Sequence, residues 1–553
     1  MIQRTRLASA AACLLLAACV TVAPPEPREA DSYADHLVGR LANLRQDHAA
    51  AADRYFAALQ REPGNDALLS GAVLASLASG DAARARQAAR MAPRTNAPAY
   101  AHFVRAADSM AAGRNGAAAD ELVRAEGSAA EELIARMMQV WAQAAGGQVD
   151  DVVVDLAPLA SIRPYGGLFA YQQAMALDFA GRNEEAITTY AAAADSGSFL
   201  PPAIERHAGL LARMGRRDEA LALLAQSINS TNPALAAAHD RLLAGRPINA
   251  ERLTTARGAA VGLYGLAAIF HQESDATNAL AALTLALMLD PQLDAAHLMF
   301  AQVQSALGHP ALARAALARI PSTSPYASSA LVMNAWTLVD EGRSDEALAL
   351  TRAAGEAGDV RAMRAMADMY RNLQRYEEAE PIYTELIASA PNDWRLYFSR
   401  GAARERLGRW PEAEADFQRA LEISPQQPEV LNYLGYSWID RGERLQEALA
   451  MIQRAVELRP SSGAIIDSLG WAYYRLGDYA QAVDHLEHAV QLEPADATLN
   501  DHLGDVYWRL GRRIEARFQW QRALTLEPGN RAPIEAKLER GLPDEPPPLS
   551  ATR

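Results

Sequence analysis

The residues nearest to a metal-ligand set are three histidines close to the C-terminal end. His485 and His488 stand at i, i+3 on one expected helix face, and His502 falls in the next helix. Imidazoles so placed could hold a transition metal, but the three read more simply as surface helix residues, and no metal is assigned. Adjacent carboxylates such as Glu377 and Glu378 are common on solvated helix faces and carry no catalytic weight. The chain has no phosphate-binding glycine loop, dinucleotide fingerprint, Gly-x-Ser-x-Gly elbow or His-Glu-x-x-His helix. Its two cysteines, Cys13 and Cys19, both lie at the N-terminal end, so the rest can form neither a disulfide nor a thiolate zinc site. The reading is a protein that is not an enzyme, with no catalytic residue and no cofactor.

Cys19 has a chemistry of its own. Arg4 and Arg6 precede a run of apolar and small residues from Leu7 to Ala18, the pattern of a secretory signal peptide (residues 1–18). The run ends Leu16-Ala17-Ala18-Cys19, which resembles the bacterial lipobox. The resemblance implies acylation of the Cys19 thiol and cleavage before it, with palmitate among the acyl chains; the alternative is an ordinary signal peptide cut at an Ala-x-Ala site. Several acyl chains, at about 0.8 kcal/mol per buried methylene, would hold the protein almost permanently. Val20 stands where inner-membrane lipoproteins often carry Asp, so the expected location is the outer membrane, facing the periplasm. Residues 19–31, with Pro24, Pro25 and Pro27, are expected to be an extended tether.

Bulk composition narrows the rest. The 553 residues are too many for one compact core, and 50% apolar with 22% charged residues is ordinary for an ordered protein. The net charge of −14, with no basic stripe, argues against nucleic-acid binding. No internal run approaches the roughly 20 apolar residues that cross a bilayer. Lys537 is the only lysine.

The strongest internal signal is self-similarity. Leu469, Gly470, Tyr473, Gly477, Ala482, Leu486, Ala489 and Pro494 recur 34 residues later as Leu503, Gly504, Tyr507, Gly511, Ala516, Trp520, Ala523 and Pro528. These are the period and signature positions of the tetratricopeptide repeat, a pair of antiparallel helices. Gly504 and Ala516 are small where the two helices cross, Gly511 can end the first helix in a left-handed conformation, and Pro528 stops the second. Upstream copies weaken: Gly435/Ala448 with one extra turn residue, Gly401/Ala413, then Tyr370/Ala379. Further back, Gly342/Ala347, Gly308/Ala313, Ala279/Pro291, Gly215/Ala220, Gly181/Ala186, Gly113/Ala118, Gly80/Ala85 and Tyr55/Pro63 mark degenerate copies.

The expected fold is therefore all-α, a right-handed superhelical solenoid of about 12–14 hairpins. Its expected parts are degenerate Ala-rich repeats over 32–246, middle repeats over 247–359, and high-fidelity repeats over 360–530. A capping helix over 531–541 and a disordered tail over 542–553 follow. Two stretches break register: Ala142 to Gly166, and Asn229 to Gly258, which holds enough extra residues for a helix pair or a joint near Pro247.

In this repeat class the first helix of each hairpin lines the concave groove. The register places Asn432 and Tyr436, then Asp467, Trp471 and Tyr474, then Asp501, Asp505 and Trp508 on that face. Aromatics interleaved with carboxylates can grip an extended peptide or helix, and the acidic positions favour a basic partner segment. Trp471 and Trp508 can equally pack against neighbouring repeats.

The blocks Asn432-Tyr433-Leu434-Gly435-Tyr436, Asp467-Ser468-Leu469-Gly470-Trp471 and His502-Leu503-Gly504-Asp505-Val506-Tyr507-Trp508 make the C-terminal repeats more specific. They resemble a group of Gram-negative repeat lipoproteins that includes the adaptor of a carboxy-terminal processing protease. That resemblance, confined to about residues 428–528, implies a periplasmic scaffold that brings a protease and its cell-wall hydrolase substrates together. A pilotin-like assembly factor for a secretin, pilus or polysaccharide exporter is the alternative; a glycan-binding protein or enzyme is a third.

Overall fold

The computed structural model describes residues 27–196, 199–228, 232–248 and 252–543. The signal run, Cys19 and residues 20–26 lie outside the described residues, as does the tail from 544. All regular structure among the described residues is helical: thirty α-helices and one short 3-10 turn, with no strand. Within the two units thirteen pairs of consecutive helices pack as hairpins, and Pro233–Leu243 and Ala532–Arg540 stand outside them. No described helix is long and apolar enough to cross a membrane. The chain divides into two compact units, Met1–Ala347 and Leu348–Arg553.

The degenerate register of the first unit is real. Gly80, Gly113, Gly181, Gly215, Gly308 and Gly342 all take φ between 74° and 81°, the left-handed turn that an L side chain resists. The alanine five residues after each glycine is fully buried, at Ala85, Ala118, Ala186, Ala220, Ala313 and Ala347. One expectation needs correction. The first helix spans Pro27–Leu44, so the last residues of the supposed extended tether, 27–31, are helical. Pro27 falls at the helix start, where its missing N–H costs nothing.

The residues that broke register from Asn229 to Gly258 form the single helix Pro233–Leu243 and a connection to Thr255. The following hairpin, Thr255–Gln272 with Ala276–Leu289, packs into the first unit against Asp66–Ala78, Ala99–Ala111, Ala129–Ala145 and Gly166–Phe179. Those are members of earlier hairpins, so the chain fills its own interior. The sequence explains why. Ala276–Leu289 has no charged residue, and Leu280 to Ala286 are buried without interruption. A helix apolar all round has no solvent face. Its partner carries Gly258, Gly262 and Gly265, where an added Cβ would lie 2.3 Å from Trp141, 2.3 Å from Met137 Sδ and 2.4 Å from Leu168 Cδ1. Thr284 Oγ1 donates to the Leu77 carbonyl at 2.7 Å, and Gln304 Nε2 to that of Ala78 at 2.9 Å. These bonds tie the hairpin to carbonyls at the C-terminal end of the Asp66–Ala78 helix.

The second unit is regular. Its hairpins run Val360–Asn372 with Tyr376–Ser389, Trp394–Arg406 with Trp410–Ile423, Pro428–Arg441 with Leu445–Leu458, Gly463–Arg475 with Tyr479–Leu492, and Ala497–Arg509 with Arg513–Thr525. The crossing glycines are required sterically: a Cβ on Gly470 would lie 2.6 Å from Leu486, and one on Gly504 2.5 Å from Trp520. The extra residue before Leu445 is absorbed by Gly442 and Arg444, both left-handed. The array closes on Ala532–Arg540, from which Leu538, with Leu542 beyond, packs onto the last hairpin.

Candidate partner-binding site

The eight groove residues expected from the repeat register all fall on first helices of the second unit, but they do not form one open surface. Asn432, Tyr436 and Asp467 line a cavity of about 490 Å³ together with Trp410, Asp440 and His502. Burial, aided by the carboxylates of Asp440 and Asp467, pushes the Tyr436 phenol up to about 12, so it stays a hydrogen-bond donor at neutral pH.

Asp467 is itself buried and receives His502 Nδ1 at 2.9 and 3.0 Å. Burial opposes protonation of His502, but Asp467, with Asp505 and Asp501 behind it, outweighs that, and its pKa is displaced upward. The His502 ring stacks on Trp471 at 4.1 Å, and Trp471 stacks on Tyr474 at 4.6 Å. Tyr474 is buried, and its oxygen accepts from Arg509 Nε at 3.4 Å. The three rings are thus a packed stack between repeats.

The expectation that Asp467, Asp501 and Asp505 offer free carboxylates to a basic partner is corrected. Lys537 Nζ donates to both Asp501 oxygens at 2.8 Å and to Asp505 Oδ2 at 2.9 Å. Trp520 Nε1 donates to the other Asp505 oxygen at 2.9 Å. Trp508 lies 5.4 Å from Trp520 and under the Arg513 guanidinium, and a Cβ on Gly541 would strike its ring at 1.9 Å. The chain's own C-terminal helix therefore covers the last repeat's groove face. The cause is chemical: two carboxylates one turn apart on a buried face require a cation, and the chain supplies its only lysine. That singularity among 53 basic residues was the signal in the sequence.

Buried polar atoms without a partner among the described residues include Trp471 Nε1 in the ring stack and two on residues that line the cavity. Trp410 Nε1 and Asn432 Oδ1 are buried and have no hydrogen-bond partner among the described residues. One is a donor and one an acceptor. A larger cavity of about 670 Å³ in the first unit, beside Arg86, His297 and Phe300, has no such orphaned atom in its lining. The histidines considered for a metal part company: His485 stacks on Tyr473 at 5.4 Å, whereas His502 is held by Asp467 and Trp471.

The fold and this groove define a helical-repeat interaction scaffold, and comparison with known proteins gives the class a name. Models described as "Tetratricopeptide repeat" match residues 332–393, 364–428 and 270–330, and one described as "TPR repeat" matches 470–511. Over these segments the chain is similar to tetratricopeptide repeats. It is 33% identical over 93 residues to the chloroplastic protein SLOW GREEN 1 of Arabidopsis thaliana, a match that covers 17% of this chain and 29% of that protein's length. Similar solved structures include a tetratricopeptide repeat protein from Parabacteroides merdae, at 18% identity and TM-score 0.37, covering 44% of this chain and 96% of that one. A thermophilic TPR protein from Thermus thermophilus is 19% identical with TM-score 0.30, covering 33% and 98%.

Proposed function

We propose that this protein is a lipid-anchored scaffold on the periplasmic face of the outer membrane that holds a processing protease and its cell-wall hydrolase substrates together. Its mechanism is effective concentration: partners bound to one anchored chain meet intramolecularly. The observation that carries the binding role is the cavity between the Pro428–Arg441, Gly463–Arg475 and Ala497–Arg509 helices, with its unpaired Trp410 donor and Asn432 acceptor. Each amide of a polypeptide presents one donor and one acceptor, so an extended segment of a partner supplies what both buried atoms lack once the lining side chains turn aside. Tyr436 adds a phenol donor and an aromatic edge. The lipid anchor and the choice of partners rest on the Leu16–Cys19 motif and the C-terminal blocks.

Affinity capture from detergent-solubilised envelopes, with the Cys19-acylated chain as bait, tests the adaptor role. A processing protease recovered with cell-wall hydrolases is the expected result; secretin or exporter components would replace it with the assembly-factor reading. Cys19→Ala is expected to yield unprocessed or soluble protein, and firm membrane attachment of that variant would refute the anchor.

A further inference from the structure

The helix Pro27–Leu44 packs by one face on the helices that follow, where Gly39 meets the Tyr55 ring. Its other face is apolar and bare. Tyr33, Leu37, Val38, Leu41 and Leu44 are 44–79% exposed. At 100° per residue they cover an arc of about 140°. Five large apolar side chains on one exposed arc exceed the scattered singles of an ordinary surface. The charged residues exposed around this arc from Tyr33 to Arg45 are Arg40, at its edge, and Arg45, at its end, and neither is paired with a carboxylate among the described residues. Asp35, on the opposite side, is held by Arg54 and Arg61.

We infer that this face rests on an anionic phospholipid surface, with Tyr33, Leu37, Leu41 and Leu44 in the headgroup–acyl boundary and the two arginines on lipid phosphates. The inference depends on the lipid-anchor reading above. Two observations select a bilayer as the occupant. An apolar arc with Arg40 and Arg45 exposed beside it matches the chemistry of an interfacial helix. Position agrees: seven residues lie between Cys19 and Pro27, a reach over the connecting chain of at most roughly 29 Å. An acylated Cys19 would therefore keep this helix beside the membrane, and docking it would fix the protein by a second contact.

The cysteine content makes the test clean, because an acylated Cys19 leaves the mature chain without another thiol. Leu37→Cys is labelled with bimane in the full acylated protein, reconstituted into phosphatidylethanolamine–phosphatidylglycerol vesicles containing a doxyl-labelled lipid. Flotation and fluorescence are read together. The inference expects the protein to float and the label to lose at least half its intensity to the doxyl lipid. A control label at Glu126→Cys should be unaffected, and Arg40→Glu with Arg45→Glu should remove most of the quenching without stopping flotation. A floating protein whose label at position 37 stays water-exposed overturns the inference and leaves the anchor standing. A label shielded from water but not quenched by lipid overturns it in favour of a second copy or a protein partner. Failure to float removes the anchor and this inference together.

Discussion

Lys537 closes a three-residue set whose members are far apart in sequence, and replacing it isolates what it does. Lys537→Met would leave Asp501 and Asp505 facing each other at low exposure with no cation. The second unit should lose about 3 kcal/mol of unfolding free energy, as when one partner of a buried pair is removed, measured by denaturant titration. An unchanged midpoint would mean that solvent already screens the pair. His502 makes a pH-dependent counterpart. Its folded pKa lies above its usual value near 6.5, so the imidazolium–Asp467 contact contributes fully below that value and is lost as pH rises through the raised pKa. The stability gap between wild type and His502→Gln should thus be wider at pH 5.5 than at pH 8.5; a gap independent of pH would contradict the assigned charge state. Residue types in the repeat signature were legible because sterics dictates them locally, at Gly504 under Trp520 or Ala516 at a crossing. The partners of Asp501, Asp505 and His502 were not, because they lie about 35 residues apart and depend on how hairpins stack.

Helical hairpins were legible for a similar reason: each is specified by its own turn, its own crossing and its own apolar stripe. Six of the degenerate copies kept the left-handed glycine and buried alanine, and Gln46 and Ser274 take the left-handed position in two others. Ala516→Leu should overpack the crossing beneath Gly504 and cost about 1–3 kcal/mol, read as a lower melting temperature; normal stability would contradict the register of the last repeat. The hairpin Thr255–Leu289 is the element whose place the period could not reveal. Its repeat spacing is ordinary, and its burial follows from where the chain returns after Leu243. The available clue was compositional, a helix from Ala276 to Leu289 without one charge beside a helix with glycines at 258, 262 and 265. Gly262→Leu should clash with Met137 and raise amide exchange across residues 255–289 and the helices around them by at least tenfold, about 1.4 kcal/mol. Unchanged protection there would mean that the hairpin does not depend on that close approach.

At the scale of the molecule the two units use one construction for different ends. In the first, inward helix faces are consumed by the chain's own apolar hairpin, and the cavity beside Arg86, His297 and Phe300 offers no orphaned polar atom among the described residues. In the second, five regular hairpins are closed at the C-terminal end by Lys537 and Gly541, and the open part of the first-helix face contracts to the cavity at Asn432, Tyr436 and Trp410. The all-α class was available from the period alone. The contraction of the groove was not, because position within a repeat says which face a residue takes but not whether another part of the chain already lies on it.

Binding of a captured partner to wild type and to an Asn432→Leu, Trp410→Phe variant, compared by calorimetry, tests the central claim most directly. Both substitutions remove an orphaned polar atom while preserving bulk, so folding should be retained. Loss of about two hydrogen bonds at roughly 1 kcal/mol each predicts an affinity weakened on the order of 30-fold. Equal affinity in a folded variant would contradict the assignment of this cavity as the partner-binding site.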